Sequence, residues 1–460
     1  MKKLLIIFIA AGFLTSGCRK IEVDGSTTAP PASANESTIL EGRITENRTL
    51  KAQYTYKLRG LVYVTNGAVL TIEPGTKIVG ENGRNGGLII TRNAKLNADG
   101  SADKPIVFTS EAATPQRGDW AGIVLLGNAP TNASFNGQQG IGEIEGGINN
   151  SEGMGLYGGT NPADNSGVLR YVRIEYAGYA FLPDKEINGL TFGGVGNQTI
   201  VDYVQVSYAN DDSFEWFGGT VNCKHLISFR TLDDDFDTDN GFAGKVQFGI
   251  ALRDSAIADV SKSEAFESDN DANGSSITPQ TSAIFSNMTV LGPKATLTNV
   301  GNSLFLAGAQ IRRNSTISII NSIIAGWPQG LLIDASKGVP TDNNLSGASP
   351  TLVIQNNIIA GCAQPVLYAA SSTTPTGSTN STILAWFSTG TFSNSILPNN
   401  TDVGLTAPFN YTAPDFNPTA ASPAATGASF LHPKSSGLQQ VSYKGACAVG
   451  DSWWKGWTKY

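Results

Sequence analysis

Histidine is nearly absent from the sequence: the 460 residues contain only His225 and His432. His225 lies in an apolar run and His432 directly precedes Pro433, and neither has a patterned Ser or Asp beside it. This argues against a Ser-His-Asp triad, in which a histidine takes the proton of the nucleophile. A zinc centre needs clustered His and Cys ligands, which the sequence also lacks. No glycine-rich loop follows a strand and opens a helix, so a phosphate-binding loop is not indicated either.

Cysteine is scarce and scattered. Cys223, Cys362 and Cys447 are far apart in sequence and form no CxxC pair, so at most one disulfide bond could join two of them. A free buried thiol is the simplest interpretation of each, and it suits Cys223 best because its neighbours form an apolar, strand-like run. These three cysteines therefore indicate no metal cluster.

Long runs with helical periodicity are missing, which argues against alternating βα units and favours an all-β chain. β-rich runs begin at Leu61-Val62-Tyr63-Val64 and are separated by turn signals such as Asn66-Gly67 and Pro74-Gly75. Glycine is abundant, with 52 residues, or about 11% against a usual value of about 7%. Tight corners between strands explain this excess, because glycine adopts positive φ without strain.

Three short acidic segments between residues 210 and 271 repeat one pattern. Phe214, Phe236 and Phe266 form one column when the segments are aligned. An acidic column lies two residues before the phenylalanines and a second lies one residue after them: Asp212, Asp234 and Glu264, then Glu215, Asp237 and Glu267. Spacings of roughly 20–30 residues are typical of a solenoid of stacked coils. The repeat therefore predicts an internal phenylalanine stack with carboxylates on the outside.

The stacked carboxylates are the candidate metal site. Neighbouring coils lie about 4.8 Å apart, so acidic side chains on adjacent coils repel one another unless they are fully solvated or neutralised by a cation. Ca²⁺ takes about 6–8 oxygen ligands and could bridge two such side chains. A solvated acidic face, a calcium site and catalytic carboxylates are all open interpretations. The candidate ligands are Asp212, Glu215, Asp234, Asp237, Asp239, Glu264, Glu267 and Asp269.

Four other side chains near the acids are candidate ligand-binding residues. Trp216 and Phe217 directly follow one of the acids, where aromatic rings either stack on a sugar or simply pack. Lys245 and Arg253 lie in or beside the acidic coils and are expected to pair with the carboxylates. The alternative is that one of them serves as a base, which requires a pKa lowered by burial or by cationic neighbours.

The beginning of the sequence has the pattern of an export signal. A basic start precedes the apolar run 4–14, which is too short to cross a bilayer. The following Thr15-Ser16-Gly17-Cys18 resembles a bacterial lipobox, which implies cleavage before Cys18 and a lipid on its thiol. The alternative is an ordinary secretory signal with a chance cysteine. We therefore expect a signal peptide over residues 1–17 and membrane anchorage through Cys18.

The rest of the chain divides by composition. Residues 18–40 are expected to be a flexible tether, because Ser, Thr, Ala and Pro are frequent there and cannot build a core. We predict a β-helix over 41–372 and a loop-rich region with a cap over 373–460. Loss of Lys2 and Lys3 with the signal peptide changes the formal charge from −7 to −9. An acidic exported protein is not expected to bind nucleic acid, and we expect it at the outer membrane, with the side it faces left open.

Two further features predict how the coil continues. Asn287, Asn321 and Asn356 each begin an Asn-x-x-[Val/Ile]-x-Gly motif. Asn suits a corner because its side chain hydrogen-bonds neighbouring backbone. Residues 128–167 are rich in Gly and Asn and predict a long loop that leaves the coil as a lid or an interaction surface.

The end of the chain carries three tryptophans, Trp453, Trp454 and Trp457. The end of a solenoid exposes unpaired strand edges and apolar core, which a cap must cover. We interpret the tryptophan cluster as that cap. A surface that stacks on a sugar or docks a partner is the alternative.

Several motifs carry a resemblance to a known family. The segments Val69–Thr76, Pro105–Ser110 and Gly118–Ile123 resemble the N-terminal coils of bacterial surface proteins with a right-handed parallel β-helix and a pectin-lyase-like fold. The lipobox, the acidic repeats and the ending Gly450–Thr458 resemble one group of Bacteroidota-type lipoproteins. The resemblance implies an all-β, right-handed parallel β-helix. It brings no established catalytic residues with it, so the catalytic residues are unknown.

The expected function is a binding or structural role without catalysis, on a lipid-anchored protein of the cell envelope. A long solenoid face suits an extended glycan or a protein partner, such as an outer-membrane uptake or surface complex. The alternative is a calcium-dependent polysaccharide lyase or another glycan-active enzyme. A base within hydrogen-bond reach of the calcium would distinguish the lyase from the binding protein.

Overall fold

The structure, a computed structural model, describes residues 37–83, 85–182, 185–294, 301–345 and 351–460. The predicted signal peptide, the lipidation site Cys18 and most of the predicted tether lie outside the described residues. The chain from Thr38 to Tyr460 forms one unit. None of the helices in these ranges combines the length and apolar character needed to cross a membrane.

The main body is a sheet of 28 strands that coils round on itself. Each coil pairs with the next in parallel, and it does so along three separate walls. The first and second walls meet within long bent strands such as Gly167–Glu175 and Ile200–Ser207. The third wall carries the acidic repeats and is called the acidic wall below. The predicted all-β parallel β-helix is thus confirmed.

The strands are distributed as follows. The first wall contains Arg48–Leu50, Val69–Ile72, Lys95–Asp99, Lys245–Gln247, Ile284–Ser286, Ser318–Ile320 and Ile354–Gln355. The second contains Lys77–Gly80, Ile106–Ser110, Ile250–Leu252, Thr289–Leu291, Ile323–Ala325, Ile358–Ala360 and Ser395–Leu397. Gly167–Glu175, Ile200–Ser207 and Asn222–Phe229 run through both of these walls. The acidic wall contains Gly87–Ile90, Gly122–Leu126, Leu190–Gly193, Phe214–Phe217, Phe236–Asp239, Phe266–Ser268, Ala307–Ile311, Gln329–Asp334 and Gln364–Ala369. Two further strands run through both the second wall and the acidic wall: Ile39–Ile44 and Thr55–Val64.

The corner between the first and second walls contains a residue with positive φ in several successive coils. Tyr171, Tyr203 and His225 adopt φ values of 49°, 56° and 49° there. Asn287 and Asn321 begin the later coils of the second wall with φ of 54° each. Asn tolerates this left-handed conformation better than most residues, because its short polar side chain bonds locally. The Asn motif is therefore a corner signal, as predicted.

The core follows the strand period of two. Phe214, Phe236 and Phe266 are paired in register and are all 0% exposed. Their ring centroids are 5.7 and 5.5 Å apart, so they form the predicted internal stack. Residues that alternate with them along the same strands point out of the coil. This alternation is what places the carboxylates on the outer surface of the acidic wall.

The insertion 128–167 is more ordered than a plain loop. It contains two small antiparallel pairs, and Ile144, Ile148 and Tyr157 pack on the outer surface of the acidic wall against Val124 and Phe217. A few apolar residues in a Gly-rich stretch were sufficient for this small core. The strands of the insertion are Ser134–Phe135, Gln138–Gln139, Gly142–Glu143 and Leu156–Tyr157, and a similar pair outside the coil joins Ala180–Leu182 to Lys185–Glu186.

The tryptophan cluster does not lie over the end of the coil. Trp454 and Trp457 pack with Ile227, Ile250 and Ile323, whose side chains point outward from the second wall. The last segment therefore runs along the side of the β-helix, because this wall has an apolar outer surface that needs cover. The prediction of an end cap made of tryptophans was wrong in its position.

A short helix, Asn380–Phe387, takes part in covering the last coil. Its buried residues Ile383 and Phe387 join the main core, and it packs against the strand Gln364–Ala369. A capping box at Thr379 and Thr382 fixes where it begins. The remaining C-terminal elements are the antiparallel pair Leu405–Ala407 with Asp415–Pro418 and the 3-10 turns Gly390–Phe392, Asn400–Val403 and Pro433–Ser435, and Thr341–Leu345 is a further 3-10 turn before the last coils.

Candidate functional site

The acidic repeats form two columns of carboxylates on one wall. Glu215, Asp237 and Glu267 are direct partners in the parallel pairing, as their alignment predicted. Asp239 lies two residues along the strand from Asp237 and therefore on the same outer surface. The repeat thus brings carboxylates from three successive coils side by side.

The second column, Asp212, Asp234 and Glu264, lies where each coil enters the wall. Asp212 Oδ1 accepts a hydrogen bond from the backbone N–H of Asp234 at 2.7 Å. Asp234 Oδ1 accepts one from the backbone N–H of Glu264 at 2.6 Å. Each aspartate thus satisfies a backbone donor of the next coil, which fixes the register of the corners. These aspartates are structural as well as acidic.

Five of the six carboxylates in the two columns, all but Glu264, line a cleft of about 460 Å³. The insertion contributes one side of it, and the loop carrying Asp259, Val260 and Ser261 contributes the other. Its lining includes nine carboxylates, and the part of the chain that the structure describes adds no Lys, Arg or His to that lining. The carboxylates are Glu145, Asp211, Asp212, Glu215, Asp233, Asp234, Asp237, Asp259 and Glu267.

Three groups of these carboxylates are close enough to share a cation. Within each group the oxygen atoms that would bind it lie within 4.8 Å of one another. Oxygen-only ligand sets of this kind suit hard cations such as Ca²⁺. The groups are Asp211, Asp212 and Asp233; Asp212, Glu215 and Asp237; and Asp234, Glu264 and Glu267.

Burial changes the acidity of these carboxylates. Removal from water raises the pKa of Asp233 and of Glu267 to about 7 and that of Asp239 to about 8. The pKa values of Asp212 and Glu215 are raised well above the ordinary range, by burial first and then by repulsion from neighbouring carboxylates. A fully solvated acidic face does not fit these positions. Without a cation the site would hold protons near neutral pH.

Two carboxylate oxygens of these groups, Asp233 Oδ1 and Glu264 Oε1, are buried without a hydrogen-bond donor. Glu264 is 1% exposed, and its Oε1 is buried without a partner. It belongs to the group with Asp234 and Glu267, whose oxygens are also acceptors when ionised. A buried acceptor without a donor costs free energy, so this atom points to a ligand that supplies positive charge.

The site also contains residues from outside the acidic repeats, among them Glu145, Asn188 and Asp259. Asn188 Nδ2 donates to Glu145 Oε1 at 3.3 Å and also to Glu215 Oε2. Glu145 belongs to the insertion, so this amide joins the insertion to the acidic wall. None of these three lies in a repeated motif, which is why no local pattern identifies them.

Arginines at one end of the columns were also missed. Arg312 Nη1 lies 2.6 Å from Glu267, and its Nε donates to Asp269 at 3.0 Å. Arg313 Nη1 donates to Asp269 at 2.7 Å. They directly follow the strand Ala307–Ile311, which pairs with Phe266–Ser268. An alignment extended by one coil would have placed them beside the acids.

Trp216 and Arg253 cannot contact a ligand in the cleft, contrary to their prediction. Both are 0% exposed. Trp216 shares the inward positions of its strand and stacks on Phe192 and Phe242, with centroids 5.5 and 5.3 Å away. Arg253 lies beneath the cleft, where it pairs with Asp235 at 3.3 Å.

Phe217 and Lys245 also lie away from the acidic groups. Phe217 points outward but is covered by the insertion, with its ring 6.1 Å from that of Tyr157. Lys245 lies on the first wall, where its Nζ donates to the carbonyl of Ser436. The expected pairing of Lys245 with the acids was wrong, because the corner between the coils places it on a different wall.

Cys223, Cys362 and Cys447 are free, so the one disulfide bond that their spacing left open does not form. Cys223 and Cys447 are buried and Cys362 is partly buried. Burial raises the pKa of the Cys362 thiol to about 12, so this thiol is protonated near neutral pH. None of the three enters the cleft lining that the described chain provides.

The coiled parallel strands and the outward acidic cleft define the class: a parallel β-helix with a candidate cation site on one wall. The chain belongs to the family of pectate-lyase-like β-helix domains, whose profile matches residues 42–389. No curated protein and no solved structure matches the chain. The family match agrees with the fold, and the chemistry of the cleft has to be argued from its own residues.

Proposed function

We propose that this β-helix is a calcium-binding protein with a binding or structural role, and that the acidic cleft holds the cation. The observation that carries the proposal is Glu264 Oε1, a buried acceptor without a donor in a group of three carboxylates. A bound cation would satisfy this atom together with Asp234 and Glu267.

The energetics support a bound cation. Two unit charges about 5 Å apart repel by roughly 3 kcal/mol at an effective dielectric of 20. Several buried carboxylates at such distances are tolerated only when protons or cations neutralise them. A cation that binds the folded chain and not the unfolded chain stabilises the fold by mass action.

The ligand set favours Ca²⁺ over softer metals. Calcium takes about 6–8 oxygen ligands in flexible geometry, and the cleft supplies carboxylates from both columns and from Glu145. Zinc would require nitrogen or sulfur ligands, and the described lining includes neither His nor Cys. Mg²⁺ prefers a smaller and stricter octahedral site, so it serves as the comparison ion in the test below.

The same lining favours a binding role over the lyase alternative. A lyase needs a base near the cation, and the described residues of the cleft include no Lys, Arg or His. Arg312, a neighbouring cation, is held in ion pairs with Glu267 and Asp269. A bound Ca²⁺ would then serve to join coils, or to bridge the wall to an anionic glycan or protein partner.

Direct calorimetric titration tests the proposal. Full-length protein, treated with EDTA and then dialysed, should bind Ca²⁺ more tightly than Mg²⁺. Asp234→Asn/Asp237→Asn should abolish the calcium signal, whereas Glu41→Gln/Glu46→Gln, which removes two exposed carboxylates from the first coil, should retain it. Absence of calcium binding by the unsubstituted protein would refute the proposal.

We further propose that the protein is exported and held at the outer membrane by a lipid on Cys18. The lipobox-like Thr15-Ser16-Gly17-Cys18 supports this proposal. Acyl chains stabilise membrane attachment by about 0.8 kcal/mol per buried CH₂. Cys18→Ser should shift the protein from the membrane fraction to the soluble fraction. If that variant still sediments with membranes, the lipid is not the anchor.

A further inference from the structure

At one end of the acidic repeats, an arginine side chain of the protein itself supplies positive charge. Ile311 pairs with Ser268, so Arg312 lies beside the coil that carries Glu267 and Asp269. Its guanidinium contacts both carboxylates, at 2.6 and 3.0 Å. A planar guanidinium with two carboxylate partners is held in a fixed position, unlike a mobile lysine.

A second candidate group has no such partner among the described residues. The group formed by Asp212, Glu215 and Asp237 makes no ion pair with any Lys or Arg in the described ranges. Among the eight ligands predicted from the sequence, only Glu267 and Asp269 make ion pairs with Lys or Arg in the described ranges. The buried Glu264 Oε1 lies in the same coil as Glu267 and in one group with it, and it still has no donor.

We propose that Arg312 determines how many metal ions the acidic wall binds, an inference that rests on the proposed calcium site. Arg312 occupies one cation position, beside Glu267 and Asp269. The metal is thereby confined to the groups nearer Asp212 and Asp234. If Arg312 were neutral, Glu267, Asp269 and the adjacent Asp239 would form another site of the same kind.

The charges around Asp239 support this inference. Thr238 pairs with Ser268, so Asp239 and Asp269 lie side by side on neighbouring coils, and Arg312 and Arg313 already neutralise part of Asp269. Removal of the guanidinium would leave this end of the wall with a larger negative charge and with oxygen ligands from two coils. The three carboxylate groups described above already combine negative charge with oxygen ligands from two coils.

The experiment is a count of bound calcium. Full-length Arg312→Gln should bind one more Ca²⁺ per chain than the unsubstituted protein in calorimetric titration. Arg312→Lys, which retains the positive charge, should return the count to the original value. Arg313→Gln should leave the count unchanged, because Arg313 makes no ion pair with Glu267 and leaves Arg312 in place.

The outcomes separate the two proposals. If the unsubstituted protein binds no calcium, the proposed function fails. If it binds calcium and Arg312→Gln binds the same number of ions, only the role of Arg312 is refuted. If Arg312→Gln folds poorly without metal, calcium should restore its far-UV circular dichroism spectrum while an equal ionic strength of NaCl does not. Failure of calcium to restore it would also overturn the inference.

Discussion

Two columns built by the same repeat behave in opposite ways. At the corner between the first and second walls, Tyr171, Tyr203, His225 and Phe248 stack with ring centroids 4.5, 4.2 and 5.1 Å apart. On the acidic wall, Glu215, Asp237 and Glu267 occupy equivalent positions in successive coils. Equivalent rings on neighbouring coils attract one another, whereas equivalent carboxylates repel.

The comparison separates a repeat that stabilises the coil by itself from a repeat that needs neutralising charge from other groups. The rings of the aromatic column stack on one another, and Trp453 and Trp457 cover them. The acidic column opens into a cleft and requires charge from elsewhere. A solenoid therefore retains stacked acids only when something neutralises them, and this distinction underlies the following predictions, ordered by the expected effect.

The largest effect is expected from pH in metal-free protein. The pKa values of Asp239, Asp233 and Glu267 are raised to about 8, 7 and 7 in the folded state. A carboxyl with a raised folded-state pKa binds its proton more tightly when folded, so its stabilising effect is complete below about pH 4 and is lost as pH rises towards 8. For each extra proton that the folded chain holds, the free energy of unfolding falls by about 1.4 kcal/mol for every unit by which the pH rises.

Denaturant melts in EDTA at steps of pH measure this dependence. Stability should fall between about pH 4 and 8. Saturating Ca²⁺ should flatten the profile, because the cation replaces the protons, and Asp239→Asn should flatten it in part. A metal-free profile that is level over this range would contradict the burial of the acidic column.

The next effect concerns the core stack behind the acids. Phe236→Ala should lower the free energy of unfolding by about 3–5 kcal/mol, because it removes a fully buried ring from between two others. Urea melts of the calcium-bound protein measure the loss. A loss below about 1 kcal/mol would show that the stack is not a packed core.

Calcium itself should have an intermediate effect on stability. At a free concentration of 100 times its Kd, Ca²⁺ should add about 2.7 kcal/mol to the free energy of unfolding. Asp234→Asn/Asp237→Asn should remove this gain and should also be more stable than the unsubstituted protein in EDTA, because a buried amide needs neither a proton nor a cation to be neutral. Equal melting midpoints with EDTA and with Ca²⁺ would make protons the better account of how the column is neutralised.

The smallest dependence on calcium is expected in the aromatic column. Tyr203→Asn keeps a residue that tolerates the observed φ of 56° but removes the stacking on Tyr171 and His225. The loss should be about 0.5–1.5 kcal/mol per stacked pair beyond the lost apolar burial, and it should not depend on calcium. A calcium-dependent loss, measured by paired melts, would show that the two columns are coupled.

The sequence determined the parts of the structure that depend on local periodicity. The phenylalanine stack, the pairing of Glu215 with Asp237 and Glu267, and the Asn corners were all predicted. Strand alternation assigns each residue of a repeat to the inside or the outside, and repetition then aligns it with its equivalents. The candidate metal ligands could be chosen for the same reason.

Only the tertiary structure decided what surrounds these ligands. Glu145 comes from an insertion, Arg312 from a later coil, and Trp454 and Trp457 from a terminal segment on the side wall instead of the end. The lengths of the corners decide which wall a residue reaches, and no repeat specifies them, so Lys245 was placed on the wrong wall. Burial of the acids likewise depends on the insertion and loop that cover them. The sequence therefore determined the columns of the coil, and the tertiary structure decided which elements come to lie over them, because contacts between distant segments leave no local periodicity.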